Sequence, residues 1–111
     1  MSNKYSKEFK YASIGLLLNI IQKVNLEDNI KYYKFFQKKL HINSDEFESF
    51  KEHEQMSQSD YINTISKELK HKNHEILQFL MTLNRCIIID GCDLKSYQRF
   101  EEIRDSFLEK F

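Results

Sequence analysis

The 111-residue chain contains no proline, only two glycines and only two cysteines, and its seventeen basic and seventeen acidic residues cancel. Without proline or more glycine there is little turn chemistry for a many-stranded β fold, and a helix once begun has few reasons to stop. Two thiols, Cys86 and Cys92, are too few for a secreted disulfide framework and fit a reduced, cytoplasmic protein. A balanced charge removes any global field toward nucleic acid or anionic lipid. The strongest apolar run near the start, Ile14 to Ile21, is interrupted by Gly15 and Asn19. It falls well short of the ~20 residues of a membrane span. Gly15 and Gly91 stand alone, so no glycine-rich phosphate loop exists, and there is no Gly-x-Ser-x-Gly nucleophile elbow. These absences argue against an enzyme.

What is present is helical periodicity. The spacing predicts an all-α, single-domain bundle of about six helices across residues 1–111. Ser6 is placed to cap a first helix whose apolar residues, among them Leu16, Leu17, Leu18, Ile20 and Ile21, cover nearly its whole circumference; such a helix is central. Asp28 is placed to cap a second, from about Asn29 to His41, with Ile30, Tyr33, Phe36 and Leu40 on one stripe and Tyr32 and Phe35 beside it. Asn43 and Glu46 form a capping-box pair for a third helix, with Phe47 and Phe50 inward. Ser59 is expected to open a fourth helix. Asn73 is expected to cap a fifth, whose apolar set includes Ile76, Leu77, Phe79, Leu80, Met81, Leu83 and Ile87 to Ile89. Gly91 ends it, and Asp93 caps a sixth that turns Leu94, Tyr97, Phe100, either Ile103 or Arg104, and Phe107 inward.

The pattern repeats weakly, in halves of about 5–55 and 59–111. Twice an almost wholly apolar helix reaches a short acidic turn and an amphipathic, aromatic-bearing helix follows, over Leu16 to Leu40 and again over Leu77 to Phe107. The two apolar helices are expected to pack back to back.

The second copy, LMTLNRCIIIDGCDLKSYQRFEEIRDSF from Leu80 to Phe107, resembles the tellurite-resistance TerB-like family. Asp90-Gly91 after an apolar helix, with Asp93 following, carries the likeness. The resemblance implies an all-helical, internally duplicated fold, a bacterial stress or defence setting, and action by binding a protein partner or a membrane-associated complex. It also implies acidic inter-helix turns able to hold a divalent cation, here Glu27, Asp28, Asp90 and Asp93. That motif is degenerate: Tyr97 stands where the family has a helix glutamate, and Val24 to Asp28 lacks the glycine of the first half.

Read from the residues alone, Asp28 and Asp93 serve as helix caps and Asp90 as a turn brace. Glu68, His71 and His74, with Cys86 and Cys92, offer zinc-type donors without zinc-type spacing. Charge is segregated: residues 1–41 carry a net +5 and residues 42–60 a net −5. The basic, aromatic second helix, through Lys31, Tyr32, Lys34, Phe35 and Lys38, is the leading partner-binding surface. The same lysines and aromatics would suit nucleic acid, but most of the aromatics fit an inward stripe. Alternatives are a metal-binding module built on the acidic turns, and a small immunity protein that blocks a basic toxin through the acidic segment Asp45 to Glu54.

Overall fold

Ser6 starts the first helix as expected, its hydroxyl accepting the amide of Phe9 at 3.0 Å. The computed structural model describes residues 5–22 and 31–110, and within them six helices follow one another with no strand. They are α1 (Lys7–Ile20), α2 (Lys31–Leu40), α3 (Ser44–Glu52), α4 (Gln58–Glu68), α5 (Asn73–Ile89) and α6 (Leu94–Glu109). No helix among the described residues is long and apolar enough to cross a membrane.

The boundaries follow local chemistry. The capping box on α3 forms in full: Asn43 Oδ1 accepts the Glu46 amide at 2.8 Å, and the Glu46 carboxylate accepts the Asn43 amide at 3.0 Å. Asp93 caps α6 by accepting the Ser96 amide at 3.1 Å. Gly91 adopts φ +104° beyond α5, and Cys92 follows at φ 61°.

Two expected caps move. Ser57, not Ser59, caps α4, because the Tyr61 hydroxyl takes the Met56 amide at 3.1 Å and leaves Ser57 to accept Asp60. Asn73 is the first residue of α5 rather than its cap. Lys72 holds the cap position without a side-chain bond, and His71, at φ 67°, makes the reversal from α4.

Buried residues surround α1 on nearly every side, as its apolar circumference predicts. It packs against α4, α3 and α6. Gly15 makes the α4 crossing possible: a Cβ there would meet the Tyr61 ring at 2.3 Å. α2 packs on α5, so each apolar helix lies against the amphipathic helix of the other half, α6 on α1 and α2 on α5. α1 and α5 themselves meet mainly through the edge-to-face rings of Phe9 and Phe79, centroids 5.8 Å apart, instead of lying back to back. That pair belongs to an aromatic chain in which Tyr5 stacks on Phe9 at 4.4 Å and Phe79 meets Phe107 at 5.9 Å. Each such pair adds ~0.5–1.5 kcal/mol beyond area burial. The radius of gyration of 13.0 Å matches a close-packed globule of this length.

Charged side chains also tie the bundle together. Lys10 of α1 is only 1% exposed, and its ammonium lies 2.8 and 3.1 Å from the two Glu46 carboxylate oxygens. Glu46 therefore closes the α3 cap and neutralises a buried cation at once. Arg99 of α6 donates from Nε to the Ile20 carbonyl at 2.9 Å, a cationic cap on the end of α1 where the helix dipole is negative.

Candidate partner-binding groove

On α2 the lysines and aromatics separate by helical phase. Tyr32, Tyr33, Phe36 and Leu40 are buried, whereas Lys31, Lys34, Lys38 and Lys39 stand in solvent. Tyr32, expected on the interaction surface, is 1% exposed and belongs to the core. One turn brings Tyr33 and Phe36 inward, and Tyr32, three and four residues before Phe35 and Phe36, lies on the flank that α5 covers. Burial, then the charge of Asp90 and the proximity of Cys86, pushes its phenol up to about 12. Its hydroxyl has no hydrogen-bond partner among the described residues. Phe35 is half-buried at the edge of the core, with the Lys39 ammonium 5.6 Å from its ring centroid.

α5 supplies the other wall. Its core stripe is Ile76, Phe79, Leu80, Leu83, Cys86 and Ile87. Leu77, Met81 and Ile88, expected among the inward set, instead stand 54%, 69% and 45% exposed. The signal was in the phase: 76, 79, 80, 83, 86 and 87 already complete one stripe, and 77, 81 and 88 fall outside it. Leu94 likewise, as the first residue of α6, points to solvent at 71%.

Between these walls lies a groove of about 590 Å³. Phe35 and Lys39 line it from α2, and Met81, Asn84, Arg85 and Ile88 from α5. Among the described residues no carboxylate lines it. Asn84 Oδ1 is covered from solvent and has no hydrogen-bond partner among the described residues. A second groove, of about 490 Å³, runs past Ser6, Tyr61 and Glu68, and these three are engaged within the fold. The Glu68 carboxylate accepts both the Ser6 amide, at 2.9 Å, and the Ser6 hydroxyl, and Tyr61 holds the Met56 amide.

The other candidate residues lie partly outside the described chain, and those within it are placed as follows. Glu27 and Asp28 lie outside the described residues. Asp93 is committed to the α6 cap, and Asp90 sits at the end of α5 beside Tyr32. Among the described residues no three His, Cys, Asp or Glu side chains gather as a metal site. His74 pairs with Gln78 at 3.1 Å, and Glu68 with Ser6, so the Glu-x-x-His-x-x-His spacing is divided between two helices and their turn. Cys86 is buried, its thiol pushed up to about 12 by that burial, and Cys92 is exposed. In the acidic segment Asp45 to Glu54, Phe47 and Phe50 face the core and Asp45, Glu48, Glu52 and Glu54 face solvent. Burial would raise the Glu46 carboxyl there, but the Lys10 hydrogen bond, the Asn43 amide and the charges of Lys10 and Lys7 outweigh it and hold the group below its ordinary value.

No family model, curated protein or solved structure matches the chain.

Proposed function

We propose that this chain is a non-catalytic interaction domain that binds a protein partner through the exposed face of α2, with Lys31, Lys34, Lys38 and the edge of Phe35 as its contacts. The observation that carries this reading is the groove beside α2, where the solvent-facing apolar side chains of Met81 and Ile88 adjoin Lys39 and Arg85. Exposed apolar side chains gathered beside charge are the usual make-up of an interaction surface. Tyr32 leaves the earlier contact set, because a core residue offers nothing to a partner. The Asp90-Gly91 turn and its flanking helices, by their resemblance to TerB-like domains, favour a bacterial stress or defence setting.

The reading is tested by placing a photo-crosslinking amino acid at position 81, at position 35, or at position 59 as a control, in the host cell. Position 81 faces solvent in the groove, and Ser59 is an exposed residue of α4. The expected result is one discrete protein adduct from positions 81 and 35 and none from position 59. Adducts from position 59 alone, or from none of the three, would overturn it.

A further inference from the structure

Resting on that reading of the α2 face, we infer that the groove between α2 and α5 receives an acidic amphipathic helix of the partner protein. Three features of the groove select that occupant.

The first is spacing. Met81, Asn84 and Ile88 line the groove at i, i+3 and i+7 of α5, and the exposed Leu77 extends the row one turn before Met81, outside the lining. This is the seam that one helix presents to another in a coiled-coil packing. From Leu77 to Ile88 the seam runs about 16 Å, enough for three turns of a second helix. Met81, unbranched and the most exposed of the three apolar residues, is suited to accommodate a partner's side chain. Asn84 adds a polar position inside the seam.

The second is charge. Lys39 and Arg85 line the two walls, and α2 carries Lys31, Lys34, Lys38 and Lys39 with no carboxylate of its own. Glu75 and Asp90 lie toward the two ends of α5, outside the groove lining. A helix entering with glutamates flanking its apolar stripe meets cations on both sides.

The third excludes the obvious competitor. A second copy docking by twofold symmetry would bring this same patch against itself. Lys39 and Arg85 would then face Lys39 and Arg85 across a seam of limited area. Like-charge opposition of that kind works against a symmetric pair.

The test uses the full chain and three labelled peptides of about 18 residues, long enough to hold helical structure. One has leucines at heptad spacing, glutamates flanking that stripe and alanines on the outer face, the second has lysine at every glutamate position, and the third is a scramble of the acidic peptide that destroys the helical period. Fluorescence anisotropy is followed for the wild-type chain and for Met81→Glu and Arg85→Glu. Met81 is mostly exposed, so Met81→Glu should melt as the wild type does, which a thermal scan checks. The expected result is saturable binding of the acidic peptide alone, weakened about tenfold or more by either substitution and several-fold by raising salt. Binding of the lysine peptide, binding of the scramble with equal affinity, or acidic-peptide binding that Met81→Glu leaves unchanged would overturn the inference. So would sedimentation showing a dimer that Met81→Glu dissociates, because the occupant would then be a second copy. If no peptide binds while the position 81 adduct still forms in cells, the acidic helix is wrong and the α2 face stands. If neither peptide nor adduct forms, both fall.

Discussion

Gly15 is the residue on which the α1–α4 crossing turns, and replacing it by alanine perturbs one contact cleanly. A methyl at that position would lie 2.3 Å from Tyr61 Cε2, 2.4 Å from Cζ and 2.8 Å from Cδ2. Carbon–carbon contact settles near 3.5 Å, so ring and helix must separate by about 1.2 Å. The ring has little freedom to yield, since it is buried and its hydroxyl holds the Met56 amide ahead of α4. Overpacking of this kind costs about 1–3 kcal/mol, and losing the Met56 bond about 1 more. Against that, alanine in place of glycine favours a helix by about 1 kcal/mol. The net is a destabilisation of about 1–3 kcal/mol, a fall in Tm of roughly 5–15 °C for a domain of this size. Thermal melts followed by circular dichroism read it directly. The sign should reverse in a Tyr61→Leu background, where the ring is gone and only the helical gain remains. A Gly15→Ala variant more stable than wild type, or one equally destabilised in both backgrounds, would refute the crossing.

Removing the Glu46 charge by Glu46→Gln strands the buried Lys10 ammonium and should cost about 2–4 kcal/mol in urea unfolding, most of which the double variant Lys10→Met/Glu46→Gln regains. Because the folded Glu46 pKa lies below the unfolded value, its contribution is complete above about pH 4.3 and is lost as pH falls through the folded value. The pH dependence of stability in that acid range should flatten in Glu46→Gln. Arg99→Met removes the cationic cap from the Ile20 carbonyl and should lower stability by about 1–2 kcal/mol, with a smaller loss at high salt. A thiol reagent near neutral pH should label Cys92 quickly and Cys86 only on unfolding; two equally fast thiols would contradict the burial of Cys86.

The helix ends show how much of the molecule was legible in the chain. Ser6, Asn43 with Glu46, Gly91 and Asp93 were readable because capping is a local reaction between a side chain and an amide three residues away. The centrality of α1 was readable because its apolar residues left no polar face. Ser57 displaced Ser59 as the α4 cap for a less local reason: the Tyr61 hydroxyl secures the preceding amide, and nothing in a run of serines shows which one a tyrosine will favour. The Lys10–Glu46 pair joins residues 36 apart and was hidden for the same reason, although a lysine amid Phe9, Tyr11 and Ala12 on a central helix was the clue.

At the candidate site the exposure of the α2 lysines was legible in the sequence and the burial of Tyr32 was not. Lys31, Lys34 and Lys38 are exposed, whereas Tyr32 turned inward because α5 covers its flank. The α5 wall was concealed by its own hydrophobicity. Leu77, Met81 and Ile88 look like core by composition, and only the phase of the residues that complete the core stripe shows them to be surplus.

The groove between α2 and α5 is tested most directly by amide and methyl shift mapping on the full chain as the acidic helical peptide is titrated in. The account predicts shifts concentrated at Phe35, Lys39, Met81, Arg85 and Ile88, with α3 and α4 silent. Shifts centred on Asp45, Glu48 and Glu52, or spread over the molecule without a centre, would contradict it.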